Sequence, residues 1–141
     1  ARWSDMTAKE YLGQAYRLNE IVNSHLSEID NLRALASSIS SGNLGERVDH
    51  TRSTDPPFVR IVCKIIDMER ELCADVERLI ALKKEISNAV NAIANADEKM
   101  LLRYRYINNY SWGKIGILMN VSNRTVHRIH SAALQNFIVP N

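Results

Sequence analysis

The sequence predicts an all-α protein, a long antiparallel helical hairpin followed by a helix-turn-helix. Three observations carry this expectation. Two stretches of more than thirty residues repeat aliphatic side chains at alternating threes and fours, the spacing of a buried helical stripe. The 141 residues include only five glycines and three prolines, and Pro56, Pro57 and Pro140 all stand at loop or terminal positions. After the second stretch come three short helical patterns, two of which open on a serine placed to cap a helix.

The opening "ARWSD" reads as a tag or processing remnant ahead of Met6. In residues 7–39 the seam is Ala8, Tyr11, Ala15, Leu18, Val22, His25, Ile29, Leu32, Ala36 and Ile39, with Leu12, Ile21, Leu26 and Leu35 beside it. Thr7 and Glu10 have the spacing of a capping box, a hydroxyl at the N-cap and a carboxylate three residues on. Residues 40–57, "SSGNLGERVDHTRSTDPP", have no period, and their Ser, Gly, Asp and Pro content predicts a mobile loop. From 58 to 94 a second seam follows: Ile61, Ile65, Met68, Leu72, Val76, Leu79, Leu82, Ile86, Val90 and Ile93. Two such stripes joined by a loop fold back on one another. Residues 6–96 are therefore expected to form a hairpin that dimerises, since Ile66, Ile80 and Ala89 also lie beside the seam. Asp97 is placed to cap the next helix, and helices are expected at 98–108, 112–119 and 123–138, within a DNA-binding domain of residues 97–141.

A helix-turn-helix needs a small residue where its second helix crosses the first, a tight turn, and apolar side chains inside. Gly116 supplies the small residue and Asn120 can take the left-handed turn conformation. Val121, Val126 and Ile129 then face Ile115 and Met119, and Ser111 and Ser122 stand at the N-caps. The outward positions of the second helix are Asn123, Arg124, His127, Arg128 and Ser131. Arginine can hold guanine through two parallel hydrogen bonds, and asparagine can do the same with adenine. Lys114, Arg105 and Ser122 complete the expected DNA-binding set as candidate backbone contacts, because a helix start favours phosphate. Arg105 has two readings, a phosphate clamp or a solvated face. Trp112, Tyr104, Tyr106 and Tyr110 read as core and rim, and His25 as a packed, hydrogen-bonded seam residue.

Charge separates the two halves. Residues 97–141 hold six Lys/Arg against two Asp/Glu, with no acid after Glu98, while residues 1–57 hold six against eight. A basic half on a chain of net charge +2 points to a polyanion partner for that half. Catalysis is not expected: there is no Gly-rich phosphate loop and no nucleophile beside a base. Nor is a cofactor or metal, since His127 and His130 lack a second ligand pair. Cys63 and Cys73, ten residues apart on one helix, would sit roughly 15 Å apart along its axis, too far to bridge. Free thiols and the lack of a long apolar run predict a cytoplasmic protein with no membrane partner.

"LRYRYINNYSWGKIGILMNVSNRTVHRIHSAAL" (102–134) resembles region four of bacterial primary sigma factors, in its Leu-Arg-x-Arg-aromatic helix, its Ile-Gly and Val-Ser steps and its Val-x-x-Ile run. "TAKEYLGQAYRLNEIVNSHLSEIDNLRALA" and "VCKIIDMERELCADVERLIALKKEI" resemble a family of Gram-positive phages and prophages related to the late-transcription regulators RinA and ArpU. The resemblance covers about Met6 to Val139. It implies a sigma-region-four-like helix-turn-helix and sequence-specific control of phage or prophage transcription, with activation of late genes as the expected role. Double-stranded DNA and a second copy of the chain are the implied partners, with host RNA polymerase a further candidate. Sigma factors carry Glu and Gln where this chain has Arg124 and Arg128, so a different DNA sequence should be read. Lys114 replaces their usual acid, and nothing here resembles the promoter-melting region two. Two alternatives stand beside this reading: a DNA-packaging adaptor of the small-terminase type, and a protein-interaction module whose basic helix binds an acidic protein.

Overall fold

Helix boundaries follow the local chemistry closely. The structure, a computed structural model, describes residues 6–42 and 56–140, and every regular element among them is helical. The first helix, α1, is Ala8–Gly42. The Glu10 amide donates to Thr7 Oγ1 at 3.2 Å and the Thr7 amide to Glu10 Oε2 at 3.4 Å, so both halves of the capping box are made. The second, α2, is Pro57–Asn91. Its first residue is a proline, whose fixed φ suits a helix start and whose missing N–H costs nothing there. The expected loop at 40–57 is thus shorter at both ends, because the helices continue to 42 and begin at 57. Residues 43–55 of that loop, and the expected remnant at 1–5, lie outside the described residues.

Three shorter helices follow. Asn95, not Asp97, caps α3 (Ala96–Leu102): its side-chain oxygen accepts from the amides of Asp97 at 2.9 Å and Glu98 at 3.1 Å. Asp97 sits instead in the first turn, where its charge complements the helix dipole. The expected helix 98–108 changes character half-way. From Arg103 to Ile107 the turn widens to a π-helix, and the Asn108 amide donates to the Arg103 carbonyl five residues back. Then come α4 (Trp112–Met119) and α5 (Asn123–Asn136), the latter two residues shorter than expected.

The chain divides into two compact units, and both long helices pass through both. The boundary falls between residues 20 and 21 and between 76 and 77, rather than at residue 96. One unit, residues 21–76, is a pair of antiparallel helical segments: Arg33 pairs with Glu69, and His25 Nδ1 lies 3.6 Å from Asp75 Oδ2. The two pairs run in opposite directions along their helices, as antiparallel packing requires. Val22, Ile29, Ala36 and Ile65 are its buried aliphatics.

The other unit joins the ends of the long helices to α3, α4 and α5. Here too α1 and α2 run antiparallel, since Lys83 Nζ donates to Asn19 Oδ1 at 3.2 Å. It also donates to the Ile107 carbonyl at 2.9 Å and so ties α2 to the π-helical turn; burial lowers its pKa. One continuous core contains Leu12, Ile86, Val90, Leu101, Leu102, Ile115 and Val126. Leu12, expected beside the seam, is fully buried there in one core with residues of α2, α3, α4 and α5. All twenty seam positions named from the sequence are buried or half-buried.

Four consecutive side chains of the π-helical turn each reach a different part of the unit. Arg103 Nη1 donates to Ser87 Oγ at 3.1 Å, and Tyr104 packs on Tyr110 with ring centres 5.7 Å apart. Arg105 lies over the rings of Tyr16 and Trp112, and the Tyr106 hydroxyl is 2.8 Å from His130 Nε2. A regular helix would repeat its direction after the third or fourth residue. Four consecutive residues point in four directions around a helix axis, and here they tie α1, α2, α4 and α5 to one segment.

Candidate nucleic-acid interface

The α4–α5 pair is built on three local features. Ser111 Oγ accepts from the Lys114 amide at 3.2 Å and starts α4. Asn120 ends it with φ 58° and ψ 46°, the left-handed conformation, and the Val121 amide then donates back to the Gly116 carbonyl at 2.9 Å. Ser122 Oγ accepts from the Thr125 amide at 3.3 Å and starts α5. The turn holds three residues, 120–122, and passes close beside Gly116. A Cβ there would stand 3.1 Å from the Val121 carbonyl and 3.5 Å from Val126 Cγ2. A side chain at this position would force the turn to give by a few tenths of an ångström.

Inside the pair, Ile115 and Val126 are fully buried, and Val121, Ile129 and Met119 pack against the same core. Glu98 fixes the far end of α5: its carboxylate is buried and accepts from Asn136 Nδ2 at 2.8 Å.

Outside, the structure leaves Asn123, Arg124, His127, Arg128 and Ser131 exposed on α5, with Lys114 and Ser122 exposed nearby. Neither Arg124 nor Arg128 has a hydrogen bond or an ion pair among the described residues. Ser131 Oγ donates to the His127 carbonyl at 3.1 Å, which leaves its lone pairs facing solvent. Lys114 is less free, because its ammonium sits 3.8 Å from the Tyr110 ring centre. Ser122 is committed to its cap, and its hydroxyl also bonds Thr125 Oγ1 at 3.0 Å.

Arg105 stands apart from the rest of the set. It is half-buried, with its guanidinium 4.5 Å from the Tyr16 ring centre and 4.2 Å from that of Trp112, and Nη1 donates to the Tyr110 carbonyl at 3.0 Å. The sandwich holds it in place, so it is neither a solvated face nor a free-swinging clamp. It lines a cleft of about 590 Å³, together with Lys9, Tyr16 and Arg17 of α1 and His127 and His130 of α5. His130 stacks edge-on to Trp112 at 4.7 Å, and burial, then the charges of His127, Arg105 and Lys9, push its imidazole down to about 4. Burial raises the Tyr106 hydroxyl, with Arg105 acting in the opposite sense. No group of three or more His, Cys, Asp or Glu side chains among the described residues is placed to hold a metal ion.

The sequence reading missed the cleft and its lysine and arginine from α1. Their only signal was the absence of partners: Lys9 and Arg17 are cations on the polar side of the first seam, with nothing in sequence to place them near α5.

Residues 45–137 match the family described as protein of unknown function (DUF1492). The chain belongs to that family. The matched stretch takes in α2 to α5 and the whole exposed set on α5, so the α4–turn–α5 arrangement lies within the family's shared region. No curated protein and no solved structure matches the chain. Cys63 and Cys73 are both free and exposed, and no helix among the described residues is long and apolar enough to cross a membrane.

Proposed function

We propose that the chain is a sequence-specific DNA-binding regulator of phage or prophage transcription, an activator of late genes, with α4–α5 as a sigma-region-four-like helix-turn-helix. The observation that carries this reading is the outer face of α5. Five polar side chains point outward from two turns of one helix, and its two arginines have no partner among the described residues. A free guanidinium at each of two positions one turn apart fits the edges of neighbouring guanines in the major groove. Ser122 takes the Thr125 amide, while the amides of Asn123 and Arg124 stay available at the helix start, where the dipole favours phosphate. Gly116 and Asn120 keep the two helices close and the turn short, which sets the angle at which α5 is presented.

In this reading the chain works as a homodimer joined through residues 7–94. Support comes from the exposed aliphatics Ile21, Leu26, Leu35 and Ile66 in the helix-pair unit. At ~25 cal/mol per Å² of apolar area, covering several such side chains offsets part of the cost of association. A dimer would carry two copies of α5 to adjacent half-sites. Host RNA polymerase remains a proposed contact of the activating complex.

Selection of duplexes from a randomised pool by the intact chain tests the reading. The expected result is one enriched motif with two half-sites. Recovery of no motif, with weak and uniform binding to every duplex, would refute sequence-specific recognition. A ring of many chains in solution would favour the DNA-packaging adaptor instead.

A further inference from the structure

The cleft beside α5 has a composition that the exposed face of α5 does not explain. Lys9, Arg17 and Arg105 line it with the imidazoles of His127 and His130, and Glu10 is its one acid. Glu10 is already engaged by the Thr7 amide at the start of α1. Lys9 and Arg17 are exposed, and neither has a hydrogen bond or ion pair among the described residues. Arg105 spends one of its N–H donors on the Tyr110 carbonyl, and a guanidinium carries five. Its planar group is pre-oriented by two aromatic rings, so binding would cost it little side-chain entropy. Burial, and after it the charges of His127, Arg105 and Lys9, lower the His130 pKa, in line with the cations gathered on this wall.

His127 gives the cleft its direction. It lies on the exposed face of α5 and also on the wall of the cleft, with its ring 5.0 Å from Trp112. A polyanion lying along α5 therefore meets the cleft at His127. We propose that the cleft is a phosphate site for the backbone of the same DNA, with Lys9 and Arg17 of α1 as its outer contacts and Arg105 as its fixed inner one. This rests on the DNA-binding reading above and extends the interface beyond residues 97–141. Contacts of this kind set register and affinity without reading sequence. They also increase the number of counterions released on binding.

The experiment is duplex binding by fluorescence anisotropy over a range of KCl, with Lys9→Ala, Arg17→Ala and the control Lys84→Ala. Lys84 is exposed on α2 and does not line the cleft. Each cleft substitution should lower the slope of log affinity against log salt by about 1, equally on the enriched motif and on random duplex. Lys84→Ala should leave the slope unchanged. In a Trp3→Phe background, Trp112 emission should change on adding duplex and not on adding inorganic phosphate or a free nucleoside triphosphate. An unchanged slope in both cleft variants, while the parent chain still selects its motif, overturns the phosphate site and leaves the DNA reading standing. A Trp112 response to free nucleotide with the salt slope unchanged makes the cleft a small-molecule site and overturns the proposal. Absence of duplex binding by the parent chain removes both.

Discussion

The two compact units differ in how fully their helices close around a core. In residues 21–76 Arg33 pairs with Glu69 and lies 4.0 Å from Asp30, and His25 faces Asp75. The same unit leaves Ile21, Leu26, Leu35 and Ile66 between 45% and 49% exposed. In the unit that contains α5 the aliphatic core is closed around side chains with no exposed area, such as Leu12, Leu101, Leu102 and Ile115. There the cations of α5 are left unpaired. Two helical segments can cover one face of each other and no more. Five segments can enclose a core and still spare one face of one helix for a partner. In the proposed function, the helix pair meets a second copy of the chain and the outer face of α5 meets DNA.

The largest expected effect breaks the closed core. Leu102→Ala should destabilise the α5 unit by about 2–5 kcal/mol, since a fully buried leucine leaves both lost transfer energy and a cavity. Leu26→Ala in the helix pair should cost well under half of that, because the side chain is already half in water. Urea titration followed by circular dichroism measures both, and equal costs would erase the contrast.

The next effect separates the units by association. Leu26→Lys with Ile66→Lys should convert a dimer to a single chain in light scattering, while Trp112 emission, which reports the α5 unit, stays unchanged. A parent chain already monomeric at micromolar concentration would contradict the dimer. Ser122→Ala should cost about 1 kcal/mol by removing the cap of α5. It should weaken DNA binding on all sequences alike, because the helix start frays without any base contact being lost.

The smallest effect is graded with pH. His130 is held neutral in the fold by burial, with its pKa pushed down to about 4 from the usual 6.5. The unfolded chain therefore takes up the proton first as pH falls. The stability tied to this residue is complete above pH 6.5 and drains away towards pH 4. Half-burial and solvent screening keep its size modest. His130→Gln should flatten that part of the stability profile, and a profile unchanged by the substitution would show that other groups set it.

Much of this could be read from sequence, for a physical reason. A helical seam depends on period alone, so His25, Ile29, Ile86 and Val90 were placed by spacing. Gly116 and Asn120 announce themselves because few other residues fit a tight crossing or a left-handed turn. What the spacing could not show depends on tertiary closure. Leu12 is buried only because α3–α5 return to α1, and Arg105 is sandwiched by the rings of Tyr16, eighty-nine residues away, and Trp112, seven residues away. Asn95 outcompeted Asp97 as a cap through a two-residue shift that the sequence left open. The π-helical turn at Arg103–Ile107 has no signature in residue type, since its arginines and tyrosines suit an ordinary helix equally well.

The central claim is that α5 reads DNA sequence through its two unpaired arginines. Affinity of Arg124→Ala and Arg128→Ala for the enriched motif and for a random duplex, at one fixed salt concentration, tests it most directly. Each substitution should cost about 1–3 kcal/mol on the motif and markedly less on the random duplex, so that the ratio of the two affinities falls. Equal losses on both duplexes would show that Arg124 and Arg128 touch only the backbone, and would contradict the account.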